Sequence, residues 1–171
     1  MRETREDLTR LQSAIDRSFD ASGSHLSSIF GEEHRLDARE LVAALEGIFE
    51  MHLAAVTSSG APLVAPVDGI FFRGKVWFGL PADAVRARLV RLDPRVSASY
   101  SCGSFAFILH GSAHEVDDAD PRWPEYEAAM RELYVAQYGV GWIDWYEQMR
   151  EHTTGQGFTG YIEPRVLFAK R

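Results

Sequence analysis

The chain is poor in the features that announce most functions. It has one cysteine, Cys102, among 171 residues, so no intramolecular disulfide framework exists and a reducing compartment is expected. No apolar run approaches the ~20 residues a membrane helix needs. The opening MRETREDLTR is too polar for a secretory leader, so a cytoplasmic protein with no membrane attachment is expected. Excess positive charge is also missing. The formal charge is −7, which argues against nucleic acid as a general partner, because phosphate neutralisation needs a basic surface. No Walker A sequence, Rossmann glycine fingerprint or Gly-x-Ser-x-Gly elbow occurs. The histidines His25, His34, His52, His110, His114 and His152 have no helical ligand spacing. His110 and His114 fall on one face of an expected strand, roughly 13 Å apart, too far to share a metal without a bend. No metal site is expected. Cys102 has no obvious base or helix start beside it to activate the thiol.

What is present is the make-up of one globular domain. Hydrophobic residues make up 46%, charged residues 25% and aromatic residues 12%. A chain of this length buries roughly 70% of its unfolded surface. Helical spacing of Leu8, Leu11, Ile15 and Phe19 predicts a helix over residues 5–19, and a shorter one follows over 24–30. Asp37 and Glu40 form a capping-box pattern, opening a helix with Leu41, Leu45 and Ile48 on one face. The pattern then turns to β. Strands are expected at His52–Thr57, Leu63–Phe72, Val76–Leu80, Val96–Tyr100, Phe105–Val116 and Gly160–Ala169, with turns at Ser58-Ser59-Gly60, Arg73-Gly74 and Cys102-Gly103-Ser104. Pro66 cannot donate to a ladder and belongs at an edge, a bulge or a ligand-facing gap. After the third strand, Pro81 suits a helix start, with Val85, Leu89 and Leu92 as its apolar face and Asp93-Pro94 as its stop.

The expected fold is mainly β with helices, an α+β arrangement in a single domain. Residues 1–50 form a helical extension and 51–116 the barrel strands with one crossing helix. Residues 117–156 form a helical insertion and 157–171 a closing strand. Two clusters could carry chemistry. Arg86, Arg88, Arg91 and Arg95 fall within ten residues, and the last three share a helical face by spacing. Such guanidinium groups suit phosphate. On these residues alone a solvated face paired with Asp83 or Asp93 is the stronger reading. Trp123, Tyr126, Tyr134, Tyr138, Trp142, Trp145 and Tyr146 form the other cluster. The first, second and third of these read as packing against the barrel or a second subunit. Trp142 and Trp145, behind Gly139 and Gly141, are open to a role in a flap.

The run HLAAVTSSGAPLVAPVDGIFFRGKVWFGLPADAVRARLVRLDPRVSASY, the later FILHGSAHEV and the closing GYIEPRVLFAK follow one another in an order that resembles the split-barrel flavin-binding proteins related to pyridoxamine 5′-phosphate oxidase. The resemblance implies a six-stranded split β-barrel forming a homodimer, with cofactor sites at the dimer interface. It implies FMN as cofactor, or alternatively a deazaflavin coenzyme whose anionic tail would use Arg88 and Arg91. The activity implied is an oxidoreductase acting on a small organic substrate; the alternative is a non-catalytic flavin or haem carrier or sensor. The ring would lie along Val64, Ala65, Pro66, Val67 and Asp68, with Trp77, Phe78 and Gly79. The phosphate would sit against Leu80, Ala84, Val85, Arg86 and Arg88. The chain departs from the family where relatives place hydroxyl and lysine ligands: Leu80, Ala84 and Val85-Arg86 stand there instead. No acid or base is assigned, and His110 is the least weak candidate.

Overall fold

Side-chain caps decide where the first helices begin. In the computed structural model, which describes residues 2–31, 33–152 and 157–171, α1 (Arg5–Asp20) starts behind Thr4. The Thr4 hydroxyl accepts the Asp7 amide at 3.1 Å, and the Asp7 carboxylate accepts the Thr4 amide at 2.9 Å. After the short α2 (Ser24–Ile29), Asp37 and Glu40 form the same reciprocal box at the start of α3 (Ala38–Ala44), as the spacing predicts. α3 is shorter than expected. Gly47, at φ 94°, turns the chain, so Ile48 opens β1 (Ile48–Val56) rather than closing a helical face.

Five more strands follow: β2 (Pro62–Phe72), β3 (Lys75–Leu80), β4 (Arg95–Cys102), β5 (Phe105–Glu115) and β6 (Phe158–Lys170). They close into an antiparallel barrel in the order β1-β2-β3-β6-β5-β4. This is the expected six-stranded α+β arrangement. Arg73 and Gly74 both take positive φ in the β2–β3 turn, the geometry that matches the twist of a tight hairpin. The crossing helix α4 (Val85–Leu92) joins β3 to β4. The helical insertion forms α5 (Trp123–Tyr138) and α6 (Gly141–His152), separated at Gly139. Its last residues, 153–156, lie outside the described residues, as do 1 and 32.

Alternation along the strands makes two cores. Phe49, Met51, Leu53 and Ala55 of β1 point inward with Phe78, Phe107, Leu109 and Leu167, and α1, α3 and α4 add Leu11, Ile15, Leu41 and Val90. The interior is filled: the cavity lined by Leu11, Phe71, Phe107 and Leu167 measures about 10 Å³, room for one water at most. The second core is on the outside. Ile70, Phe72, Trp77 and Tyr161 are covered there by Trp123, Tyr126, Met130 and Tyr146 of α5 and α6. Among the described residues nothing gives the opposite outer face such cover, and Glu50, His52, Val64, Pro66 and Ser99 are exposed on it. Among the described residues no helix is long and apolar enough to cross a membrane.

Candidate functional site

The site begins where β3 stops covering β2. The two strands pair only from Gly69↔Phe78 to Phe72↔Lys75, while β1 pairs along β2 from Pro62 to Ile70. Residues 62–68 therefore have one free edge, and Pro66 lies within it opposite His52. That is where its missing amide costs least, as expected. Val64 and Pro66 are exposed; Ala65, Val67 and Asp68 are half-buried. Gly79, on the neighbouring strand, is exposed, and a Cβ there would meet nothing nearer than 3.9 Å. This leaves a shallow surface bordered by backbone.

Other expected ring neighbours turn away from that surface. Trp77 is only 1% exposed. Its ring stacks on Tyr126 at 4.1 Å and its Nε1 donates to the Phe72 carbonyl at 3.1 Å. Phe78 points into the barrel and stacks on Phe158, and Leu80 is buried as well. These three can offer a ligand backbone groups but not side chains. The alternation of a strand sends 77 and 78 to opposite faces, and both faces of β3 are packed.

The start of α4 forms the other wall. The expected helix start at Pro81 is displaced: Pro81 to Ala84 make a turn, closed by the Ala84 amide donating to the Pro81 carbonyl at 3.0 Å. The helix begins at Val85, and Ala84 in the capping position has no side-chain bond to give. The amides of Val85 and Arg86 find no acceptor among the described residues. The first turn carries no acidic residue, although Asp83 lies just outside it, exposed. The late start also changes the apolar face. Ala87, Leu89 and Val90 pack on the barrel, whereas Val85 and Leu92, expected inside with Leu89, are 54% and 73% exposed. The sequence offers two apolar faces sharing Leu89, and the one with small Ala87 allows the closer approach.

The arginines separate into different roles. Arg86 reaches back to β2: Nη1 donates to the Ala65 carbonyl at 3.0 Å and Nη2 to the Pro66 carbonyl at 3.1 Å. Burial pulls its guanidinium below the usual arginine value, though it stays protonated at neutral pH. Arg88 is exposed and has no hydrogen bond or ion pair among the described residues. Arg91 is engaged by the Glu115 carboxylate and by the Gly157 carbonyl, the latter at 3.0 Å. The helix ends at Leu92, so Arg95 is a β4 residue and does not share a helical face with Arg88 and Arg91. It pairs with Asp93 at 2.5 Å instead.

The helical insertion reaches the same surface, a link that spacing did not reveal. Tyr134 donates its hydroxyl to Asp68 at 2.8 Å. Burial, and then this bond to a carboxylate, push the phenol well above its usual range. Tyr134 stacks on Trp142 at 4.6 Å, and Trp142 stacks on Tyr146 at 4.8 Å. Trp123 and Tyr126 pack on the barrel as expected, and Trp142 joins them partly buried. Trp145 is exposed. His110 bonds Ser97 through Nδ1 at 2.7 Å, and His114 stacks on Tyr161. Among the described residues no three metal-ligating side chains stand together.

Neither a protein-family model nor a curated relative matches the sequence. Solved structures do match in fold. The conserved hypothetical protein Rv2991 of Mycobacterium tuberculosis superposes with a TM-score of 0.62 at 17% identity, over 81% of this chain and 87% of that one. The haem storage protein HutZ of Vibrio cholerae gives 0.56 at 17% identity, over 77% and 91%. An FAD-binding protein of Mesorhizobium loti gives 0.54 at 15% identity, over 79% and 93%. The chain has the split-barrel fold of pyridoxamine 5′-phosphate oxidase-like proteins.

Proposed function

We propose that this chain binds a phosphate-bearing flavin, FMN or a deazaflavin coenzyme, on the outside of its barrel, between the free edge of β2 and the start of α4. The observation that carries the reading is the uncapped α4 start beside an open strand edge, with Arg86 tying the two together. Unmet amides at a helix N-terminus attract phosphate, and Arg88, without a partner among the described residues, adds a positive charge on the same helix. A flat ring suits the edge from Val64 to Asp68, where Gly79 leaves room. The filled barrel interior supports an external site. The residues fit the cofactor with fewer contacts than the family pattern, because Leu80, Ala84 and Val85 bring no hydroxyl. Each missing charge-assisted hydrogen bond weakens binding by about ten- to hundredfold.

The uncovered outer face around His52, Val64, Pro66 and Ser99 favours a second copy of the chain completing the site. The activity best served is an oxidoreductase acting on a small organic molecule. A bound flavin supplies the hydride chemistry, and the chain supplies orientation and the phosphate contacts. Tyr134 holds Asp68 in one orientation beside the ring surface, and the stacked Tyr134, Trp142 and Tyr146 brace that contact.

A second reading, a carrier without turnover, rests on the sparse phosphate contacts and on the fold shared with a haem storage protein. Parallel titration with FMN, a deazaflavin coenzyme and haem, followed by addition of a reduced nicotinamide, separates the two. Flavin uptake with reduction is the expected result. Haem uptake without flavin uptake would favour the carrier and sink the oxidoreductase reading.

A further inference from the structure

We infer that Arg86 is a positioning residue, a clasp that holds the free edge of β2 against α4, and not a ligand to the phosphate. The consequence for a cofactor rests on the site proposed above; the clasp itself does not.

The free segment of β2 needs such a clasp. Residues 62–68 have no β3 partner. Pro62 and Pro66 carry no amide, so the free side of this segment has fewer donors with which to hold a neighbour. The carbonyls of Ala65 and Pro66, consecutive in the chain, both accept from one guanidinium. Two of its five N–H groups are spent in this way, and the side chain is partly buried in doing so. Meeting a phosphate end-on through Nη1 and Nη2, the fork already in use, would require it to swing away and leave both carbonyls without that donor. Arg88 is two residues on and has no partner among the described residues, so the helix has a second guanidinium that can meet an anion without undoing the strand.

Two measurements on the full chain test this, using Arg86→Ala and Arg86→Lys. The first is amide hydrogen exchange without ligand. Arg86→Ala is expected to speed exchange of Leu63, Ala65 and Val67, whose amides face β1, by about tenfold or more, the loss of one charge-assisted bond. Exchange in β5 should stay as in the wild type. Lysine, which keeps the charge and can reach one carbonyl, should fall between. If Arg86→Ala loses protection in β5 as well, the fold as a whole has loosened, and Arg86→Lys carries the comparison. Unchanged exchange of Leu63, Ala65 and Val67 overturns the clasp.

The second measurement is titration with FMN and with riboflavin, which lacks the phosphate. A clasp predicts that Arg86→Ala weakens both by the same factor. Weakening of FMN alone, with riboflavin unchanged, makes Arg86 a phosphate ligand and overturns the inference. If the wild type takes up neither flavin, the cofactor reading fails, and exchange still decides the clasp.

Discussion

Ala84 stands in the capping position of α4 and brings no side chain to cap it. Replacing it with aspartate should move two properties in opposite directions. A carboxylate in that position accepts from the amides of Arg86 and Ala87 and complements the helix dipole. Gaining such a cap stabilises by about 0.5–2 kcal/mol. For a chain of this size, each kcal/mol raises Tm by about 2–4 °C. The same carboxylate occupies the groups proposed to hold a phosphate and puts a negative charge there, next to Asp83. Losing one charge-assisted bond to phosphate weakens FMN by about ten- to hundredfold, before repulsion is counted. Thermal unfolding without ligand and a fluorescence titration with FMN read the two effects separately. Riboflavin serves as the control and should bind Ala84→Asp nearly as it binds the wild type. Ala84→Ser, a cap without charge, should stabilise with a smaller loss of FMN. An Ala84→Asp protein that melts higher yet binds FMN unchanged would refute the placement of phosphate at this helix.

Other consequences follow from the same structure. Arg88→Ala should weaken FMN by about tenfold, the loss of one charge-assisted contact. Arg95→Ala should leave it unchanged in the same titration, because Arg95 is paired with Asp93 in β4. Gly160→Ala would set a Cβ 2.0 Å from the His114 carbonyl oxygen. β5 and β6 would have to part, so the urea midpoint should fall by the equivalent of about 3 kcal/mol. Asp93 and Asp120 are held from the usual 3.8 down to about 2, chiefly by side-chain hydrogen bonds from Arg95 and Arg122. A lowered folded-state pKa gives stability that is present above the unfolded value and lost on acidification. The slope of stability between about pH 4 and pH 2 should flatten in Asp93→Asn with Asp120→Asn, measured by denaturant unfolding across that range.

The barrel was legible because its signals are local. The β-prone runs His52–Thr57 and Phe105–Val116, the Arg73-Gly74 turn and the Asp37–Glu40 box each act within a few residues, although β1 begins four residues earlier than the first of those runs. The errors fall where a distant contact decides between local options. Leu89 belongs to two possible helix faces, and packing against the barrel selects Ala87 and Val90 over Val85 and Leu92. Arg95 fits a helical spacing with Arg88 and Arg91, but Asp93 and Pro94 end the helix and β4 begins. The acceptors of Arg86 lie 20 and 21 residues upstream. No periodicity marks a bond of that kind, nor the one from Tyr134 to Asp68, which spans 66 residues. The strands and helix that border the proposed site could thus be read from the sequence. Which side chains face it could not, since Trp77 and Phe78 are claimed by packing on both sides of β3.

The central claim is that a flavin phosphate is held at the α4 start, outside a filled barrel. The most direct test is the ratio of FMN to riboflavin affinity for the wild-type protein, measured by titration under one set of conditions. Phosphate bound by the Val85 and Arg86 amides with Arg88 predicts FMN tighter by about tenfold or more. Equal affinities, or no saturable binding of either flavin at about 100 μM, where a binding free energy of roughly −5.5 kcal/mol would already register, would contradict it.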